Sequence, residues 1–146
     1  MCIRDSSRIW QCEFLNNDHD IFIDKEPEYK IDQNSFTYYQ PNALFFAGQT
    51  SFIKINQLLT GTYPTTGINY SIYRNEFNGY NNLILDFLLI NNTYYGLSVY
   101  KNTFTNSFPT NSGLAYGVKA QGNNIGASFT CNTYSGFYDR LLFFTG

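Results

Sequence analysis

Carboxylates are the first residues to weigh for chemistry. Two at a fixed separation cleave glycosidic bonds as acid and base or nucleophile, and several together cradle a hard cation. Asp24, Asp86 and Asp139 each accompany a short apolar stretch, but at different distances from any shared landmark, so they do not form a pair or a column. Asp86, alone within LILDFLLI, reads as an outward-facing strand residue. The densest acidic segment, residues 18–32, holds Asp18, Asp20, Asp24, Glu26, Glu28 and Asp32. Its alternation matches the opening of a calcium-binding loop, but the turn glycine and the closing bidentate glutamate are missing, so it reads as a solvated loop. His19, the single histidine, lies in that segment with no nucleophile pattern beside it and reads as a surface residue. No phosphate-binding glycine loop or nucleophile elbow occurs. Tyrosines are the remaining candidates: the pairs Tyr38–Tyr39 and Tyr94–Tyr95 flank turns, where an exposed ring could stack on a sugar, although strand packing explains them equally. No catalytic, cofactor-binding or metal-ligating residue is assigned, and no cofactor is expected.

Composition narrows the partners. Net charge is -2 and Lys and Arg are not clustered in sequence, which leaves no nucleic-acid footprint. The longest apolar run, residues 83–90, is interrupted by Asp86 and falls well short of the roughly 18 residues of a membrane span. Aromatics reach 19% while charged residues are only 14%, and no stretch sustains a helical period, so the chain reads as all-β.

The elements that must position any site come from a repeat. Residues 96–104, GLSVYKNTF, contain an apolar residue, two intervening residues, an asparagine, one more residue and an aromatic. The same frame reads Ile9-Cys12-Phe14, Ile31-Asn34-Phe36, Ile53-Asn56-Leu58, Ile72-Asn75-Phe77, Val99-Asn102-Phe104 and Phe129-Asn132-Tyr134. Its last positions lie 22, 22, 19, 27 and 30 residues apart, the spacing of a stacked array. A second short apolar strand follows most copies, at residues 21–23, 44–46, 83–85, 114–118 and 141–144, with turn-rich pieces of variable length between. The third copy instead runs into TGTYPTTGINY. Constant strands with elastic loops suit a solenoid of about six coils. In it Asn34, Asn56, Asn75, Asn102 and Asn132 stack as a structural ladder, and Phe14, Phe36, Phe77, Phe104 and Tyr134 stack in the interior. The asparagine is expected at the sharp corner itself, in the left-handed conformation that it tolerates. Cys12 and Cys131 would then lie five coil steps apart, roughly 24 Å, too far for a disulfide. A β-sandwich also suits short strands, but leaves the asparagine column unexplained.

This frame resembles the right-handed parallel β-helix (pectate-lyase-like) repeat family, and CNTYSGFYD and YKNTFTNS look like repeats in large bacterial cell-surface proteins. The resemblance covers residues 8–146 and implies a non-catalytic structural or adhesive module, extracellular or on the cell surface. Its implied partners are polysaccharide or other surface proteins, and neighbouring coils of the same full-length chain. The alternative is a fragment of a polysaccharide lyase or glycosidase whose catalytic coils lie outside these residues. The family's Asp pairs, Gly-His-Gly turn and Arg-x-Lys element do not occur here. Residues 1–6, MCIRDS, resemble a translated sequencing-adapter remnant, so the expected structural domain is residues 7–146, a piece of a longer protein.

Overall fold

The computed structural model describes residues 3–5, 8–15, 19–24, 29–39, 50–56, 70–80, 85–93, 97–107, 116–124, 126–136 and 142–145. After β1 (Ile3–Asp5), the strands repeat in threes. The first coil is β2 (Arg8–Trp10), β3 (Glu13–Leu15) and β4 (His19–Asp24), and the second is β5 (Tyr29–Asp32), β6 (Ser35–Tyr39) and β7 (Thr50–Asn56). The third is β8 (Tyr70–Tyr73), β9 (Glu76–Tyr80) and β10 (Leu85–Asn91), and the fourth is β11 (Ser98–Tyr100), β12 (Thr103–Asn106) and β13 (Tyr116–Gln121). The fifth is β14 (Ser128–Thr130), β15 (Thr133–Ser135) and β16 (Leu142–Thr145). The first strands of the coils pair in parallel as one sheet, the second strands as another and the third strands as a third. The only antiparallel pair among the described residues is β1 on β2. The chain is therefore an all-β parallel β-helix of about five coils.

The count differs from the six copies of the sequence frame because Ile53-Asn56-Leu58 is not a corner. Ile53 and Asn56 lie on β7, in the third sheet, opposite Leu88 and Asn91. Asn56 therefore stands outside the asparagine line, and its amide donates to the Asp24 side chain at 3.0 Å. Leu58 and residues 44–46 lie outside the described residues. The second coil instead reaches from Asn34 to Asn75, 41 positions.

The corners differ from expectation in a second way. The left-handed residue is the one before the asparagine: Gln11, Gln33, Arg74, Lys101 and Cys131 all have φ between 52 and 56°. That turn points the next side chain inward, where the asparagines meet. Asn34, Asn75 and Asn102 are buried, and Asn132 is half-buried. The Oδ1 of Asn75 accepts from both the backbone N–H (2.9 Å) and the amide (3.0 Å) of Asn34, and Asn102 and Asn132 repeat the pattern one coil on. The other amide hydrogen of each goes to a carbonyl of the coil below: Asn34 to Ile9, Asn75 to Ile31, Asn102 to Ile72, Asn132 to Val99. An interior asparagine such as Asn102 thus fills two acceptor and two donor positions, its full capacity. Cys12 begins the line with its backbone N–H alone, donated to Asn34 at 3.0 Å.

Inside the coils, Phe14, Phe36, Phe77, Phe104 and Tyr134 stack with centroids 4.7–4.9 Å apart and nearly parallel planes. That distance is the spacing of neighbouring strands, so identical positions of successive coils meet ring to ring. Phe52 and Phe87 project from the third sheet against this stack. Tyr29 lies beside Tyr70 in the same interior, and its hydroxyl has no hydrogen-bond partner among the described residues. Burial, and secondarily Tyr70, pushes its phenol far above the ordinary value of 10.0.

Asn102→Ala removes the acceptor shared by the Asn75 N–H and amide and the donor to the Ile72 carbonyl, leaves the Asn132 Oδ1 with the backbone N–H of residue 102 alone, and is expected to cost about 3 kcal/mol or more in denaturant unfolding. Asn56→Ala, on the sheet exterior, is expected to change stability by about 0.5 kcal/mol or less. At alkaline pH, a tyrosine whose folded pKa is raised keeps its proton while the unfolded chain loses it, so stability falls as pH rises above about 10, by ~1.4 kcal/mol per unit for one such group. Tyr134, pushed up to about 12 by burial, adds to the fall below that pH. Tyr29→Phe should reduce this slope and gain about 1 kcal/mol at neutral pH by removing an unbonded buried hydroxyl, measured as unfolding midpoints across pH.

Candidate functional site on the outer face of the first sheet

Apart from Asn56, the sequence-derived ladder asparagines face inward and bond to one another, so they build the scaffold. The acidic residues do not converge. Asp24 is exposed beside Asn56, whereas Asp32 is fully buried at the end of β5. Asp86 is also fully buried rather than outward and exposed, with its carboxylate 3.6 Å from Lys119. His19 belongs to strand β4 rather than to a loop. Asp139, Tyr94 and Tyr95 lie outside the described residues, and Tyr38 is buried, so neither tyrosine pair supplies a described platform. Cys131 is a free, exposed thiol at a corner and makes no bridge to Cys12.

What the fold does assemble is an outward face that no segment of sequence displays. In the first sheet Ile31, Ile72 and Val99 point inward, so the residues on either side point out. Strand register places Trp10, Asp32, Tyr73, Tyr100 and Thr130 in one outward column. Arg8, Lys30, Ser71, Ser98 and Ser128 form the neighbouring column. The corner residues Gln11, Gln33, Arg74, Lys101 and Cys131 form a third, on the other side.

Asp32 is the centre of charge. Arg8 hydrogen-bonds its Oδ2 from the strand before, and Arg74 Nε lies 3.6 Å from its Oδ1 from the corner after. Both guanidiniums also lie over rings, Arg8 4.6 Å from the centroid of Trp10 and Arg74 4.4 Å from that of Tyr73. Tyr73 in turn stacks on Tyr100 at 4.9 Å. The result is a strip of half-buried rings interleaved with cations, Arg8, Lys30, Arg74 and Lys101, against the single carboxylate of Asp32 on these columns. Such a surface offers flat apolar area to a sugar ring or another π system, and N–H donors to hydroxyl or carboxylate oxygens.

Sequence reasoning missed this cluster because its members are far apart: Arg8 and Asp32 are separated by 24 positions. The signal was present in the frame itself. Aligning the residue two before Cys12, Asn34, Asn75, Asn102 and Asn132 brings Trp10, Asp32, Tyr73, Tyr100 and Thr130 together. Comparison with protein-family models, with curated proteins and with solved structures found no match to this chain.

The cluster has an asymmetry that mutation can read. Arg8→Met leaves the buried Asp32 with Arg74 alone and is expected to cost about 1–2 kcal/mol. Asp32→Ala is expected to cost less, since both guanidiniums can turn to solvent and keep their ring contacts. Paired chemical-denaturation curves at low and high salt would check the order, and the Arg8→Met deficit should persist in salt because the carboxylate is buried.

Proposed function

We propose that this chain is a non-catalytic structural or adhesive β-helical module of a large extracellular or cell-surface protein, and that it contacts polysaccharide through the outer face of its first sheet. The observation that carries this reading is the Trp10–Tyr73–Tyr100 strip with its interleaved arginines, held on strands rather than loops. A repeating saccharide presents a ring about every few ångströms along its length, and a stack of coils presents one side chain per strand step in the same manner. The two buried carboxylates support a binding role over a cleaving one. Asp32 belongs to the first sheet and Asp86 to the third, each beside a cation, so they do not flank a common bond. The finer likeness, to right-handed pectate-lyase-like repeats of bacterial surface proteins, rests on the Ile-x-x-Asn-x-Phe frame and fits the same role.

The test is binding of a neutral β-glucan and of a polyuronate, by affinity electrophoresis and calorimetry. Trp10→Ala and Tyr100→Ala should each weaken binding to the preferred polymer about tenfold, ~1.4 kcal/mol, with unfolding midpoints little changed. Binding unaffected by either substitution would remove the face from consideration. Shortened polymer chains after incubation would overturn the non-catalytic reading and favour the lyase or glycosidase alternative.

A further inference from the structure

Tyr73 and Tyr100 are register partners on β8 and β11, and their rings stack with centroids 4.9 Å apart and planes 8° from parallel. Both are half-buried, and the Tyr73 hydroxyl accepts a hydrogen bond from the Arg74 guanidinium at an exposed position. One other ring contact among the described residues joins tyrosine to tyrosine, Tyr29 with Tyr70. Those two are only 5% and 3% exposed, and their planes are tilted by 44°.

Near-parallel stacking of two identical side chains sets like ring atoms opposite one another, including the carbons ortho to the hydroxyl. Those carbons carry much of the unpaired electron of a tyrosyl radical. Arg74 lies 4.4 Å over the Tyr73 ring and reaches back to Asp32 in the second coil, while Tyr100 belongs to the fourth. The Tyr73 ring is thus enclosed on one side by a guanidinium, which one-electron oxidants leave untouched, and on the other by a second phenol. Groups held side by side react without a collision step, which favours coupling within the chain over coupling between chains.

We propose that Tyr73 and Tyr100 are a crosslinking site, joined as dityrosine by a one-electron oxidant of the haem peroxidase class with hydrogen peroxide as terminal acceptor, and that the bond staples the third coil to the fourth. Each phenol gives up one electron and its hydroxyl proton, and the peroxide takes up both electrons and both protons to become two waters. The two radicals pair their electrons in a carbon–carbon bond between the ortho positions. The hydrogen on each of these carbons then moves to the phenol oxygen beside it and restores both hydroxyls. The rings reach bonding distance by turning about their Cβ–Cγ bonds, which their partial exposure permits. A covalent tie between coils removes conformations from the unfolded chain, as a disulfide does. This chemistry does not depend on the polysaccharide reading.

The test treats the 146-residue chain at micromolar concentration with a haem peroxidase and limiting hydrogen peroxide, then separates monomer from larger species. The monomer should gain the blue fluorescence of dityrosine and lose one hydrogen atom in mass per linked tyrosine, and proteolysis with mass spectrometry should map the link to Tyr73 and Tyr100. Tyr73→Phe and Tyr100→Phe keep the ring and remove the phenol, and each should cut monomer fluorescence at least tenfold with the β-sheet circular dichroism signal retained. The purified crosslinked monomer should unfold at a higher denaturant concentration than the untreated chain. Fluorescence confined to dimers and larger species, monomer fluorescence that survives either substitution, a link mapped to Tyr29 and Tyr70 or to any other pair, or an unfolding midpoint no higher than that of the untreated chain would overturn the proposal.

Discussion

The side-chain hydrogen bond from one asparagine to the next is the interaction on which the rest of the structure depends. Parallel strands alone fix a repeat distance but leave each coil free to shift by a residue, which would turn every inward side chain outward. The asparagine at the corner removes that freedom. Its oxygen can take both the N–H and the amide of the asparagine in the coil before only if the two corners lie directly above one another. Once they do, the first and second sheets are held in register together, and the phenylalanines two positions on must stack. The cost of this arrangement is borne by the residue before, which takes a left-handed conformation unfavourable by roughly 1–2 kcal/mol for a residue with a side chain. Five such residues in a column persist because the amide line and the backbone bonds across each corner, such as Thr103 N–H to the Asn75 carbonyl at 2.9 Å, determine their conformation several times over.

The same geometry produces the outer face. Stacking converts a separation of 22 to 41 residues along the chain into one strand step in space, so charges scattered evenly through the sequence become neighbours. Asp32 is tolerated in a fully buried position because arginines reach it from the coil below and the coil above, each using a ring as its own support. Coil lengths vary without disturbing these columns, since the extra residues fall between strands. Function can therefore be varied on the outer columns, where neither the amide line nor the phenylalanine stack is touched.

The amide line also has polarity, because every link donates in the same direction along the stack. A symmetric stack of rings has interchangeable ends, but a line of donors and acceptors does not. Among the described residues the line runs from the Cys12 backbone N–H, where no side-chain oxygen is needed, to Asn132.

By itself the sequence determined the class of fold and the three internal columns, because the interior of a solenoid repeats the same environment at every coil and so demands the same residue types: Ile31, Ile72 and Val99, then Asn34, Asn75 and Asn102, then Phe36, Phe77 and Phe104. It was less able to locate every coil. Ile53-Asn56 matches the frame by residue type, yet Ile55 precedes the asparagine, and a β-branched residue is a poor occupant of the left-handed corner that Gln33, Arg74 and Lys101 adopt. That mismatch was legible, but only once the position of the corner was known. The burial of Asp32 and Asp86, and the meeting of Trp10, Tyr73 and Tyr100 with two arginines, were decided by tertiary structure alone. Outward positions are not constrained to repeat, so no periodicity marks them, and their neighbours are set by strand register between coils rather than by distance along the chain.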